Sequence, residues 1–205
     1  MLTTPEVNEI MASAPVQEGQ KALVEAEKCT DTSQLTVSQY AAGRDFIIMA
    51  ITRNCGTRPG ALETVTLGHW RAARWDNDET SKVILVTSHK REVEGPGPIP
   101  CNREIVRWIE VFVAKLRPLL ADDSSNSGKL FLKSDGAPYQ KGTIGRRITA
   151  FVLKSGVRAK RPISATDFRK WLVTAMNAKK RAGLSINEDL LRRLVCHSKQ
   201  TAHTW

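Results

Sequence analysis

The sequence has few cysteines and no long apolar run, and each shortage excludes a class of protein. The four cysteines lie far apart along 205 residues, at positions 29, 55, 101 and 196, without a Cys-x-x-Cys pair. This spacing excludes a dense disulfide framework and favours a reducing, intracellular setting in which the thiols act as small apolar side chains. No apolar stretch approaches ~18 residues, the length that spans a membrane, and the N-terminus lacks the pattern of a signal peptide. We therefore expect an intracellular protein without a membrane segment.

Acidic residues are fewer than basic residues. The chain has 31 lysines and arginines against 21 aspartates and glutamates, a formal net charge of +10. This excess favours a polyanionic partner such as nucleic acid, although a solvated basic surface would give the same composition. The length is sufficient to bury a sizeable core in one domain, or in a domain with an appendage.

The stretch from residue 164 to the end carries most of the signal. Ser164 and Asp167 have the S-x-x-D spacing of a capping box and predict the start of a helix. Arg169 falls in the first turn of that helix, where backbone amides and a guanidinium can together hold a phosphate. Two more helix starts are predicted after this one. The last of these helices reaches Trp205 without a C-terminal cap.

Earlier patterns predict further helices and a small sheet. Apolar residues at helical spacing predict helices over residues 37–54, 103–116 and 144–152. A hairpin is predicted from strands at residues 69–75 and 82–88, followed by a short third strand at Ile99 and Pro100.

Four short motifs, in order, resemble the catalytic domain of the tyrosine recombinase (phage integrase) family. The stretch N-C-G-T-R-P-G-A-L at 54–62 is similar to the family's T-G-x-R-x-x-E-L motif. The later motifs are D-F-R at 167–169, L-V-C-H-S at 194–198 and T-A-H-T-W at 201–205. The resemblance implies an α+β fold that is mostly helical, with a small three-stranded antiparallel sheet. It further implies an N-terminal helical segment at 1–36 and a catalytic core at 37–205, without the family's N-terminal DNA-clamping domain.

The resemblance also implies a role for each matching position. Arg58 and Arg169 would hold the non-bridging oxygens of a phosphate, and His197 would donate a further hydrogen bond to it. Lys90, in the predicted turn between strands, would protonate the departing 5′ oxygen. The nucleophile would be a tyrosine nine residues after His197, at position 206, so the chain is expected to be truncated just before it. The implied reaction is cleavage and religation of double-stranded DNA through a 3′-phosphotyrosyl intermediate, in a homo-oligomer on DNA and without metal or other cofactor.

Six further residues are predicted to contact DNA. They lie on the polar side of a predicted helix, in the basic connector before residue 164, and beside Arg169: Arg146, Arg147, Lys160, Arg161, Thr166 and Lys170. Basic side chains at such positions are suited to follow a phosphate backbone.

Departures from the family pattern keep other interpretations open. Thr166 replaces the family's first histidine, Ala61 a usual glutamate and Cys196 a usual glycine. These differences allow a catalytically inactive DNA-binding module derived from a recombinase. The histidine position and the missing clamp domain also suggest a mobile-element-derived eukaryotic branch, for which the location would be nuclear.

Two alternatives need no recombinase chemistry. A zinc site could use Cys196, His197 and His203, but adjacent Cys and His side chains cannot easily reach one tetrahedral ion, and a fourth ligand is not evident. The other is a basic helical interaction domain with no role in DNA binding.

Overall fold

The computed structural model describes residues 1–77, 79–87, 97–120, 128–157, 161–184 and 186. The helices in these ranges are α1 (Thr4–Met11), α2 (Ala14–Lys28), α3 (Val37–Cys55), α4 (Pro59–Thr64), α5 (Leu67–Arg71), α6 (Arg103–Val111), α7 (Thr143–Lys154) and α8 (Ala165–Arg181). The strands are β1 (Arg74–Trp75), β2 (Ser81–Val86) and β3 (Gly97–Asn102). Helix α6 continues as a π-helical segment, Phe112–Leu116, and a short 3-10 segment, Arg117–Leu120. The two helices predicted after α8 lie outside the described residues.

The three strands form one antiparallel sheet in the order β1-β2-β3. Ile84 of β2 pairs with Ile99 of β3, and both side chains are buried on the face toward the helices. Leu85, on the opposite face, is 53% exposed. A mostly helical chain with one small three-stranded antiparallel sheet confirms the predicted α+β fold.

Helix α3 runs through the middle of the core and packs against α2, α6, α7, α8 and β3. Its apolar side chains are buried around most of its circumference, because helices or the sheet lie on several sides of it: Tyr40, Phe46, Ile47, Ile48, Met49 and Ile51. The helix begins at Thr36, which forms a capping box with Gln39. It ends at Gly56 with φ of 56°, the left-handed cap that the sequence predicts there.

The predicted strand at residues 69–75 is wrong over most of its length. Residues 67–71 form α5, and only Arg74 and Trp75 are extended. The hydroxyl of Thr66 accepts a hydrogen bond from the His69 amide at 3.0 Å, and His69 Nδ1 accepts one from the Thr66 amide at 3.2 Å. This reciprocal capping starts a helix without the usual Glu or Gln, so the standard capping-box pattern does not reveal it.

The predicted N-terminal segment is helical and contributes to the same core as the rest of the described chain. Val7 and Ile10 of α1 and Leu23 of α2 are fully buried. The Trp171 indole of α8 donates a hydrogen bond to the hydroxyl of Thr4 at 3.1 Å. The boundary at residue 36 stays a prediction. Among the described residues, none of the helices has both the length and the apolarity needed to cross a membrane.

Candidate nucleic-acid interface

The loop between α3 and α4 lies directly against α8. A Cβ added to Gly56 would lie 3.1 Å from Cγ of Arg169 and 3.3 Å from a methyl carbon of Leu172. Gly56 is therefore required both by its positive φ and by this close approach. Since Arg58 follows two residues later, the contact places the loop that carries Arg58 against the helix that carries Arg169.

Arg58 and Arg169 both occupy helix starts and are both partly withdrawn from water. Arg58 is the residue immediately before the first residue of α4, and Arg169 lies in the first turns of α8. Nη1 of Arg58 and Nε of Arg169 are buried, while each side chain keeps part of its surface exposed. Each guanidinium is half-buried near the start of a helix, a position where a negatively charged group is favoured. The described structure thus brings together two of the four predicted catalytic residues.

An open groove of about 500 Å³ adjoins this pair. It runs between the starts of α4, α7 and α8 and has mainly small or apolar walls: Pro59, Gly142, Gly145, Arg146, Thr149, Ala150, Leu153, Ser164, Ala165 and Thr166. Arg146 and Thr166, two of the predicted DNA contacts, are exposed on its lining. Lys170 is exposed one turn after Thr166, on the same side of α8.

The start of α8 is built from local residues. The predicted capping box is confirmed, because Oδ2 of Asp167 accepts hydrogen bonds from the amide of Ser164 at 2.8 Å and from its hydroxyl at 2.7 Å. Arg161 donates from Nη1 to Oδ2 of Asp167 at 3.1 Å and from Nη2 to Oδ1. The hydrogen bond from Arg161 is the main cause that holds the pKa of Asp167 well below its usual range. Arg161, a predicted DNA contact, therefore has a carboxylate partner within the protein.

The start of α7 is built differently, from a residue that the sequence patterns did not reveal. Gly142 precedes the helix with φ of 81° and has no side chain to cap it. Instead Glu63, at the end of α4, accepts hydrogen bonds from the amide of Gly142 at 3.1 Å and from the amide of Ile144 at 3.0 Å. The glutamate is 7% exposed. The glycine before the predicted helix indicates that no neighbouring side chain caps it. The sequence does not indicate that Glu63, far away along the chain, supplies the cap.

The two neighbouring arginines of α7 have different surroundings. Arg146 is exposed at the groove, whereas Arg147 donates to both oxygens of Asp45, at 2.5 and 2.6 Å. Arg44, which is fully buried, donates to the same carboxylate at 2.9 Å. Arg147 thus joins α7 to α3. The prediction that both arginines contact DNA remains a prediction, and Arg146 has the more accessible position.

The two tyrosines of the sequence are Tyr40 and Tyr139, and both are buried. The Tyr40 hydroxyl donates to the carbonyl of Leu132 and accepts from its amide, both at 3.0 Å. Burial raises the pKa of Tyr139 to about 12. Both hydroxyl groups are therefore withdrawn from solvent.

Several predicted site residues lie outside the described residues. These are Lys90, Lys160 and His197, together with Cys196 and His203 of the zinc alternative. Within the part of the chain that the structure describes, there is no group of three His, Cys, Asp or Glu side chains that could hold a metal ion.

Comparison with known proteins relates the fold to site-specific recombinases. The structure of XerA recombinase superposes with a TM-score of 0.59 at 14% sequence identity, covering 98% of this chain and 57% of that chain. The structure of XerH site-specific recombinase bound to palindromic difH substrate, a post-cleavage complex, has a TM-score of 0.60 at 15% identity, over 91% of this chain and 47% of that one. A pre-cleavage complex of XerH with difH has the same TM-score and identity, over 91% and 48%.

These likenesses establish a shared fold. The chain spans about half the length of the recombinases that it matches. The sequence matches no protein-family model and no curated protein. The described structure is therefore a domain with a recombinase-like fold.

Proposed function

We propose that this chain is the catalytic part of a DNA recombinase that cleaves and rejoins strands through a 3′-phosphotyrosyl intermediate. The observation that carries the proposal is the contact of Gly56 with Arg169, because it joins the loop of Arg58 to the first turns of α8. The two arginine motifs, 111 residues apart in the sequence, are thereby close to each other in the fold. The recombinase-like fold supports the same conclusion independently.

The proposed reaction requires groups that stabilise negative charge on the phosphate, a nucleophile, and an acid that protonates the leaving oxygen. Arg58 and Arg169 would hold the non-bridging phosphate oxygens, and their contacts would strengthen as negative charge develops on them. His197 would donate a further hydrogen bond. The hydroxyl of a tyrosine at position 206 would release its proton to solvent and attack phosphorus, while the bond to the 5′ oxygen breaks and Lys90 donates a proton to that oxygen. Religation is the reverse of these steps, so a metal or nucleotide cofactor is not required.

The proposed partner is double-stranded DNA, bound by a homo-oligomer of the full-length protein. The net charge of +10 would favour the phosphate backbone. Arg146 and Thr166 line the groove beside Pro59, and Lys170 is exposed one turn after Thr166 on α8. XerH, which shares the fold, was crystallised with its difH substrate. An origin from a mobile element, DNA integration and a nuclear location in a eukaryotic host belong to the same proposal.

A second candidate is a DNA-binding module that has lost cleavage. It is favoured by the exposed Thr166, which lines the groove where the family resemblance places a histidine. A threonine hydroxyl can donate a hydrogen bond to phosphate, but it cannot exchange a proton near neutral pH.

The test uses nicked duplex DNA that traps covalent protein-DNA adducts. The 205-residue chain is assayed for binding across a range of salt concentrations, and a version extended through a tyrosine at position 206 is assayed for adducts. We expect an adduct in the extended protein, reduced on the order of 10³-fold or more in rate by Arg58→Ala or Arg169→Ala. Arg103→Ala is the matched control, since Arg103 stacks on Trp75 at 5.3 Å and is not part of the groove lining.

Each outcome selects one interpretation. Salt-dependent binding without any adduct favours the inactive module. If the 205-residue chain does not bind duplex DNA even at low salt, both DNA interpretations are wrong. Adduct formation that is equally sensitive to Arg103→Ala would remove the proposed roles of Arg58 and Arg169.

A further inference from the structure

We propose that Glu63 is a positioning residue for DNA binding, which sets the first turn of α7 so that Arg146 is presented beside Arg58. The inference rests on the proposed function, because it concerns how the same groove holds a phosphate backbone. Glu63 itself is 7% exposed and would not contact DNA.

Among the described hydrogen bonds, Glu63 is the side chain that accepts from the backbone amides at the start of α7, while the Thr143 hydroxyl accepts from Nη2 of Arg146 at 3.5 Å. The two carboxylate oxygens each accept one amide: Oε2 that of Gly142 and Oε1 that of Ile144. Both amides belong to the group that an α-helix leaves without intrahelical partners. A negative charge at this end of the helix is also favoured by the helix dipole. Because both oxygens are engaged, the carboxylate constrains the rotation of α7 as well as its position.

A second contact joins the same two helices at the other end of α4. A Cβ added to Gly145 would lie 3.7 Å from Cγ of Pro59, so α7 approaches the first turn of α4 closely. Helix α4 has six residues, about 9 Å of helix at 1.5 Å per residue. Pro59 at its start and Glu63 near its end therefore hold α7 at two separate points.

The contact at Glu63 sets the backbone just before Arg146. Arg146 follows Gly145 in sequence and lines the groove together with Pro59, the residue after Arg58. With the contact at Glu63 removed, the body of α7 would still be held by its buried apolar face and by the ion pair of Arg147 with Asp45, but its first turn would lose its fixed carboxylate partner. Arg146 would then lose its fixed place, while Arg58, which is placed by Gly56 against α8, would keep its own.

A role in folding alone would make a different prediction. Loss of any helix cap lowers stability, but it does not change how many phosphates the folded protein neutralises. That number is measured by the slope of log Kd against log salt concentration, about 0.9 for each phosphate contact. The slope therefore separates positioning of a cationic side chain from general stabilisation.

The experiment compares wild type, Glu63→Ala, Arg146→Ala and the double variant, using the full chain and a duplex DNA. Binding is measured from low to moderate salt at a temperature where all four are folded by circular dichroism. We expect each single variant to reduce the slope by about one, and the double variant to reduce it by about one rather than two. Non-additivity is expected because Glu63 acts through Arg146.

Asn102→Ala is the matched control for loss of a helix cap. Oδ1 of Asn102 accepts a hydrogen bond from the Ile105 amide at 2.9 Å at the start of α6, which does not line the groove. This variant should lower the melting temperature and leave the slope at the wild-type value. If Glu63→Ala fails to fold, Glu63→Gln replaces it in the same cycle, since the amide retains one acceptor oxygen.

The outcomes distinguish the two proposals. The positioning role is overturned if the folded Glu63 variant keeps the wild-type slope of log Kd against log salt concentration. It is also overturned if the slope of the double variant falls by about two. Either result leaves the proposal of DNA binding intact. The positioning role is overturned as well if Asn102→Ala reduces the slope as much as Glu63→Ala does. Absence of salt-dependent binding in the wild type overturns the proposed function, and the role of Glu63 with it.

Discussion

The starts of α7 and α8 line the same groove, yet they are capped in opposite ways. At α8, Ser164, Asp167 and Arg161 lie within six residues of one another and form a local network. At α7, the cap is Glu63, which lies 79 residues before Gly142. The first arrangement is encoded in one short stretch, whereas the second exists only once α4 has packed against α7.

The two arrangements also differ in redundancy. If the Asp167 carboxylate is removed, the Ser164 hydroxyl remains at the start of α8, and Arg161, whose side chain is 62% exposed, can be hydrated. If Glu63 is removed, Gly142 has no side chain to take its place. The amide of Ile144 would then be left buried without its acceptor. The remote cap should therefore be the more costly one to lose.

The largest effect on stability is expected for Glu63→Ala. We expect it to lower the free energy of unfolding by about 2–4 kcal/mol, since two charge-assisted hydrogen bonds to amides are lost. Asp167→Ala should cost about 1–2 kcal/mol, the usual loss for a helix cap. Urea unfolding at pH 7, followed by circular dichroism, measures both. A greater loss for Asp167→Ala than for Glu63→Ala would contradict the comparison.

An intermediate effect is expected from acid, and it should involve the local cap. Since the pKa of Asp167 is lowered in the folded protein, chiefly by the hydrogen bond from Arg161, the unfolded chain takes up a proton first as the pH falls. The stabilisation by Asp167 is thus complete above the ordinary carboxyl pKa of about 3.9 and is lost progressively below it. Urea unfolding between pH 7 and pH 3 should show wild type and Asp167→Asn converging toward acid. Parallel curves down to pH 3 would rule out this source of stability.

The smallest effect is expected for Arg161→Gln. The guanidinium is mostly exposed, so its ion pair with Asp167 should contribute less than about 1 kcal/mol to the free energy of unfolding. The variant should also raise the pKa of Asp167 toward its ordinary range, because the main cause of the lowering is gone. Urea unfolding at pH 7 and pH 4 checks both statements. A loss as large as that of Glu63→Ala would show that Arg161 has a further role in the fold.

The sequence predicted those elements whose signals lie within a few residues. The capping box at Ser164 and Asp167 and the cap of α3 at Gly56 are both present. The strand predicted at residues 69–75 was wrong because its local signal has an unusual form. His69 completes a capping interaction with Thr66, and the usual pattern of Glu or Gln does not include histidine.

The candidate site was predicted only in part. Motif order selected Arg58 and Arg169, but their common location depends on the contact of Gly56 with α8, which has no local signature. Arg146 and Arg147 are equivalent in the sequence pattern. The structure separates them, because Asp45, 102 residues from Arg147, binds one of the two and leaves the other at the groove.

Helix starts with local caps, the basic charge and the order of the arginine motifs follow from the sequence, since they depend on neighbouring residues or on composition. The packing of the chain brings the loop of Arg58 against α8, leaves Arg146 at the groove and makes Glu63 the cap of α7. The difference lies in the range of the interactions. A hydrogen bond between residues three apart can form as soon as the helix does, whereas a carboxylate reaches amides some 80 residues away only after the core has packed.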